Sequence, residues 1–216
     1  LLDHVGSGIY WDLDRKTGGL HLMPPYNFGG LRRHASYIDS LYGGLDFVRR
    51  SNADHIVICN SDVIANVDIA GAVKAHKDSE ADITVVYTGG VRPANHSDLP
   101  VLKLSGNEVT EISLKSSSDD CNYGIGITVF SKKAIFDTVE RGYDENDRSL
   151  FETVRKTGGD KKIIGFKHNG FVSVMDNGMS YFDANMQLLN REIRNDLFSK
   201  ERPILTKTRD DMPTRY

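Results

Sequence analysis

The stretch HIVICNSD, residues 55–62, places a short apolar run directly before three polar residues. A continuous run of this kind is typical of a β-strand that is buried on both faces. The polar residues then lie where the strand ends. Because open α/β sheets bind their ligands at the carboxyl ends of strands, Asp62 is the first candidate for a functional residue.

Helix-like and strand-like segments alternate on both sides of this strand. Apolar residues recur at steps of three and four over residues 35–48, which predicts an amphipathic helix before the strand. A second helix is predicted over 68–77 and a second buried strand over 83–87. The alternation predicts an α/β fold with a Rossmann-like, doubly wound sheet that is mixed and mostly parallel.

The rest of the chain continues this pattern up to a charged tail. Further strands are predicted over 101–104, 109–112, 124–130, 162–166 and 171–174, the first two as a β-hairpin. Further helices are predicted over 131–140 and 179–190, where Phe182, Met186 and Leu189 fall on one stripe. Charge and two prolines in residues 199–216 predict a linker that follows a domain at 1–198.

Composition argues against several classes of partner. The 216 residues carry a formal net charge of -3, so we expect no nucleic-acid surface. No apolar run approaches the ~20 residues that span a bilayer, so we expect no membrane association and a cytoplasmic protein. Cys59 lies in an apolar run, which predicts a buried, reduced thiol.

Asp176 is the second acidic candidate. It follows the predicted strand 171–174 and precedes the predicted helix 179–190, so its position is equivalent to that of Asp62. Two such carboxylates would hold one Mg²⁺ ion against a pyrophosphate or triphosphate. On the residues alone, Asp62 is also explained as a turn or capping residue. Asp176 is also explained as a negative charge favoured at a helix N-terminus.

Lys115 is a basic candidate because it follows the predicted strand that ends the hairpin. A lysine at a strand end can pair with a sugar phosphate, although most surface lysines are simply solvated. The seven histidines show no metal-ligand spacing.

Several segments together resemble the bacterial ADP-glucose pyrophosphorylases, also called glucose-1-phosphate adenylyltransferases. HVGSG (4–8) and WDLDR (11–15) are similar to an early stretch of that family. ICNSD (58–62) is similar to its strand ending in Ser-Gly-Asp-His, and GITVF (126–130) to Gly-Ile-Tyr-Val-Phe. DANMQLL (183–189) is similar to Glu-Ala-Asn-Met-Asp-Leu-Leu. These matches keep the family's order across nearly the whole chain.

The resemblance implies transfer of AMP from ATP to glucose 1-phosphate, which yields ADP-glucose and pyrophosphate for glycogen synthesis. Asp62 would be the catalytic, metal-binding aspartate, with Asp176 as its partner on Mg²⁺. Lys115 would meet the phosphate of glucose 1-phosphate, and Gly126 would lie near the sugar. Asp39, where the family carries its Gly-Thr-Ala-Asp-Ala helix start, would be a further substrate-binding residue.

Departures from the family pattern argue against full activity. Leu114 replaces the glutamate before the lysine, and Ser61 and Val63 replace the glycine and histidine around the aspartate. Removal of one polar group from a preorganised site lowers the rate by a factor on the order of 10²–10³. The pattern resembles the GlgD-type subunit, so we expect a catalytically weak regulatory subunit that pairs with a catalytic one. A fully catalytic nucleotidyltransferase and a sugar-nucleotide binding module without chemistry are the alternatives.

Two parts of the family have no counterpart in this sequence. One is the glycine-rich, arginine-containing nucleotide loop, whose backbone amides bind the triphosphate. The other is the left-handed β-helix domain, although residues 202–213 resemble the linker before it. We therefore expect a piece of a longer protein, with the catalytic-domain fold truncated on its N-terminal side.

Overall fold

The computed structural model describes residues 2–15, 18–23, 36–93, 99–115, 120–157 and 159–206. The strands are β1 (His55–Cys59), β2 (Val63–Ala65), β3 (Ile83–Val91), β4 (Val101–Ser105), β5 (Glu108–Ser113), β6 (Asp120–Ser131), β7 (Ile163–Lys167) and β8 (Val172–Val174). The helices are α1 (Leu2–Val5), α2 (Tyr37–Arg50), α3 (Ile69–Asp78), α4 (Lys132–Asp144), α5 (Leu150–Thr157), α6 (Gly178–Gln187) and α7 (Arg191–Leu197). Residues 207–216 of the predicted linker lie outside the described residues.

Within these ranges the strands form two sheets. A six-stranded sheet has the order β1-β6-β3-β7-β5-β4, and β2 pairs with β8 in a two-stranded sheet. The α/β class and the mixed sheet are therefore as predicted. The expectation of a mostly parallel sheet is wrong, because in the described residues only β3 and β7 pair in parallel. The long strand β6 runs antiparallel between β1 and β3, and a buried apolar run does not reveal strand direction.

Apolar clusters cover the two faces of the larger sheet. Ile83 and Val85 of β3 belong to a cluster that also contains buried residues of α2, α4 and α5. Val86 belongs to a second cluster, which contains Ala72 of α3. Successive residues of a strand point to opposite faces, so helices pack on both sides of the sheet. This explains why its central strands read as continuous apolar runs.

Polar caps begin three of these helices close to the predicted points. The side chain of Ser131 accepts a hydrogen bond from the backbone amide of Ala134 and begins α4. Asp68 does the same for α3, where it accepts from the amide of Gly71. Ser36 begins α2 within a capping box. Each such cap stabilises its helix by about 1 kcal/mol, which explains why the starts were readable from the sequence.

The hairpin and α6 are also close to prediction. β4 and β5 pair from Val101 opposite Ser113 to Ser105 opposite Glu108. The predicted helix over 179–190 corresponds to α6, which ends three residues earlier, at Gln187, and α7 was not predicted. None of the helices in the described ranges has both the length and the apolar character needed to cross a membrane.

The apolar stripe of α6 faces outward. Phe182 is 56% exposed and Met186 is 49% exposed, although both lie on the stripe that the sequence predicts. Ala184 is the buried residue of this helix within the described chain. The large apolar side chains of α6 therefore add little to the core.

Candidate functional site

Asp62 lies in the short connection between β1 and β2. It follows the end of β1, as the sequence predicts, and β2 begins at the next residue, Val63. The expectation that β1 is buried on both faces is wrong, because β1 is an edge strand of the described sheet whose residues are half-buried or exposed. β2 is not predicted from the sequence, because three residues are too few to show a strand period.

Asp62 and Asp176 lie at the same end of the two-stranded sheet. β2 and β8 pair antiparallel, with Val63 opposite Val174. One step further along the ladder, the backbone amide of Met175 donates to the carbonyl oxygen of Asp62 over 2.7 Å. Asp176 is the next residue, so the fold brings together the two aspartates that the sequence placed at separate strand ends.

The two carboxylates have different surroundings. Oδ1 of Asp62 is buried, whereas Asp176 is exposed. Oδ1 of Asp176 accepts a hydrogen bond of 2.7 Å from the side-chain amide of Asn177, which caps α6. One carboxylate thus lies inside the fold, and the other lies at a helix N-terminus, where negative charge is favoured.

The donor set of this aspartate pair fits Mg²⁺ better than a transition metal. The described ranges contain no group of three or more His, Cys, Asp or Glu side chains placed to hold a metal ion. Mg²⁺ does not need one, because it is commonly bound by one or two carboxylates together with waters and substrate phosphates.

A cavity of about 330 Å³ opens at the carboxyl end of β1, beside the aspartate pair. The first residue of α2, the middle of β6 and the start of α5 form its other walls. The described residues that line it are Tyr37, Ile58, Cys59, Asn60, Ser61, Asp62, Gly126, Thr128, Ser149, Leu150 and Phe151. The predicted residues Asp62 and Gly126 therefore share one cavity.

Gly126 lies at a point of close approach between β6 and the end of β1. Its φ angle is 77°, a left-handed conformation that disfavours side chains. A Cβ atom at this position would lie 2.8 Å from Nδ2 of Asn60. The backbone amide of Asn60 donates to the carbonyl oxygen of Gly126 over 2.8 Å, which fixes the approach. A glycine is therefore required where the sequence predicted a sugar contact.

Asp39 and Lys115 are not among the described residues that line the cavity. Oδ2 of Asp39 accepts a hydrogen bond of 2.8 Å from the backbone amide of Ser36, as part of the capping box of α2. Lys115 is exposed two residues after the end of β5. Their predicted roles in substrate binding thus remain predictions.

Cys59 departs from its predicted environment. It is exposed and lines the cavity, so the expectation of a buried thiol is wrong. The apolar run of β1 ends at Cys59, where the strand meets the cavity. Desolvation by the surrounding atoms raises the pKa of its thiol, which keeps it protonated at neutral pH.

No protein-family model matches the chain. The chain is 27% identical to glycogen biosynthesis protein GlgD of Bacillus subtilis, in an alignment that covers 100% of this chain and 54% of GlgD. It is also 27% identical to the glucose-1-phosphate adenylyltransferase of Lachnospira eligens, with 99% of this chain and 51% of that protein aligned. The chain is similar to these proteins along its whole length. The predicted resemblance is thereby confirmed, and the chain spans about half the length of the curated relatives that it matches.

A solved structure supports the fold. The crystal structure of HddC from Yersinia pseudotuberculosis superposes with a TM-score of 0.52 over 68% of this chain and 60% of that chain. The sequence identity is 15%, so this likeness concerns the fold alone.

Proposed function

We propose that the chain belongs to a regulatory subunit of a bacterial glucose-1-phosphate adenylyltransferase, with weak or no activity of its own. The observation that carries the proposal is the similarity to GlgD along the whole chain. The assembled enzyme would join ATP and glucose 1-phosphate into ADP-glucose and pyrophosphate for glycogen synthesis. Its partner would be the catalytic adenylyltransferase subunit in a hetero-oligomer.

The site supports binding of a sugar nucleotide. Asp62 and Asp176 would hold Mg²⁺, and the ion would neutralise charge on the ligand's phosphates. The cavity beside Asp62 would take a neighbouring part of the ligand. Asp62, with one oxygen buried, would supply a fixed acceptor, while the exposed Asp176 would remain open to solvent and ligand.

The residues around this aspartate support weak chemistry. Ser61 and Val63 flank Asp62 in place of the glycine and histidine of the resembled family. Lys115, the candidate for the sugar phosphate, does not line the cavity in the described structure. Transition-state stabilisation depends on polar groups held in place before the reaction, so these differences are expected to lower the rate.

Pyrophosphate release from ATP and glucose 1-phosphate tests the proposal. We expect the full-length protein to release little alone and to raise the rate of the catalytic subunit when the two are mixed. The matched variants are Asp62→Asn at the site and Asp78→Asn on the exposed end of α3. Robust turnover by the isolated protein that Asp62→Asn abolishes and Asp78→Asn preserves would contradict a regulatory role.

A fully catalytic nucleotidyltransferase is the second candidate. The adjacency of Asp62 and Asp176 favours it, because the acidic pair that a catalytic metal would need is retained. Failure of the isolated full-length protein to turn over at any Mg²⁺ concentration would exclude this candidate.

A further inference from the structure

Asn60 lines the cavity, and the sequence predicts no role for it. It lies two residues before Asp62, and its side chain packs over the Cα atom of Gly126. The backbone hydrogen bond to Gly126 fixes its main chain, so the position of the side chain is set by the junction of β1 and β6.

The two polar atoms of the Asn60 side-chain amide differ in their hydrogen bonds to the protein. The hydroxyl of Tyr37 donates to Oδ1 of Asn60 in a long bond of 3.5 Å. This contact directs Oδ1 toward α2. In the described part of the chain, Nδ2 donates to no protein atom. An Asn amide nitrogen has two hydrogens to donate, so Nδ2 can serve a molecule in the cavity.

The remaining wall of the cavity indicates which chemical group this molecule presents. None of the described lining residues is Lys, Arg or His, and Asp62 is the carboxylate among them. A phosphate in contact with these described residues would therefore meet no cationic side chain among them. Leu150 and Phe151 add apolar surface. A neutral polyhydroxyl group combines oxygen acceptors with an apolar C–H face, so it matches both kinds of wall.

We propose that Asn60 determines specificity for the glycosyl part of a bound sugar nucleotide and that Tyr37 positions its amide. Nδ2 of Asn60 donates to a sugar oxygen, and the Tyr37 hydroxyl keeps Oδ1 turned away from that oxygen. This inference rests on the proposed function, because it assumes that a sugar nucleotide binds in the cavity.

Calorimetric titration of the full-length protein with ADP-glucose and with ADP, both with Mg²⁺, tests the inference. We expect Asn60→Leu to weaken ADP-glucose binding about tenfold, the effect of removing one hydrogen bond, and to leave ADP binding unchanged. Tyr37→Phe, which removes one oxygen atom, should weaken ADP-glucose binding about threefold. Matched controls are Asn52→Leu, an exposed residue before β1, and Tyr42→Phe on α2, whose ring stacks on Tyr143.

The double variant separates positioning from a general structural role. If Tyr37 acts through Asn60, Tyr37→Phe should have no further effect in the Asn60→Leu background. Equal weakening of ADP and ADP-glucose by Asn60→Leu, or additive effects of the two substitutions, would overturn the inference and leave the proposed function standing. Absence of any binding of ADP-glucose, ADP or glucose 1-phosphate to the unmodified protein would overturn both.

Discussion

The six-stranded sheet and the two-stranded sheet differ in how far they bury their residues. Eight consecutive residues of β6, 123–130, are buried. No residue of β2 is fully buried, and in β8 only Val174 is. α6, which follows β8, buries Ala184 and exposes its larger apolar side chains.

This difference separates the part of the fold that supplies stability from the part that carries the candidate chemistry. Asp62 and Asp176 both adjoin the less buried sheet. Segments with few buried apolar contacts open locally at a low free-energy cost, and ligand-binding segments are commonly of this kind. We therefore expect substitutions in the buried core of the larger sheet to change global stability, and substitutions at the aspartates or in the adjoining cavity to change ligand binding.

The largest effect is expected from the core of the larger sheet. Phe130 is 0% exposed, so Phe130→Ala should lower the free energy of unfolding by about 3–5 kcal/mol, because it removes buried apolar surface and leaves a cavity. The matched control is Phe182→Ala on the exposed stripe of α6, for which we expect a change within about 0.5 kcal/mol. Urea denaturation measures both. Similar losses in the two variants would contradict the division between the sheets.

A second prediction concerns Gly126, where β6 of the larger sheet comes close to the end of β1 beside the cavity. Gly126→Ala places a Cβ against Asn60 and strains a backbone with a φ angle of 77°, so it should cost roughly 2–3 kcal/mol. Gly106→Ala, in the turn of the hairpin, has a φ angle of 64° but open space around the new Cβ. That control should cost only about 1 kcal/mol.

The ligand affinities of the same two variants sharpen the test. Gly126→Ala should also weaken binding of ADP-glucose because it displaces Asn60, whereas Gly106→Ala should leave binding unchanged. A loss of affinity in the hairpin variant would show that stability alone controls binding.

The sequence predicts the larger sheet well because its signals are local. The apolar run of β1 and the capping residues Ser131 and Asp68 each specify one element without help from the rest of the chain. Strand direction is not local, so the antiparallel placement of β6 between β1 and β3 could not be predicted from its composition.

The site was predicted in part for the same reason. Asp62 was found because it follows a strong strand signal, and Gly126 through resemblance to a family. Asn60 and Tyr37 were missed as site residues, because their contact joins positions 23 residues apart and no local pattern marks it. The resemblance to the adenylyltransferase family likewise gave no indication that Lys115 would not be among the described residues that line the cavity.

A third, smaller effect is expected where β2 meets the end of the described chain. The side-chain amide of Asn66 donates to the carbonyl oxygens of Leu197 and Arg202, over 2.7 and 2.8 Å. Asn66→Ala removes both bonds and should cost roughly 2 kcal/mol. Hydrogen exchange should become faster around residues 197–202 and stay unchanged in β6. Equal acceleration in β6 would indicate that the two sheets unfold as a single unit.

The smallest effect is expected from acid, and it would act on the larger sheet. His76 of α3 is buried, and its Nδ1 lies 2.8 Å from the hydroxyl of Thr84 on β3. Burial lowers the pKa of His76 below its ordinary 6.5, with help from His55 and Lys77 and opposition from Asp82. The unfolded chain therefore takes up a proton at a pH where the folded protein does not.

Stability should consequently fall as the pH drops below about 6.5, by at most about 1.4 kcal/mol for each pH unit, the limit for one proton. His76→Gln keeps a polar group beside Thr84 but cannot titrate, so its stability should change less between pH 7.5 and 5.5. Urea denaturation of both proteins at the two pH values measures the difference. If the variant loses the same stability between pH 7.5 and 5.5, the pH dependence comes from a group other than His76. A smaller loss of stability in the variant would show that His76, packed against the larger sheet, makes the fold sensitive to acid. The cause would be burial itself, which hinders protonation of His76 in the folded protein.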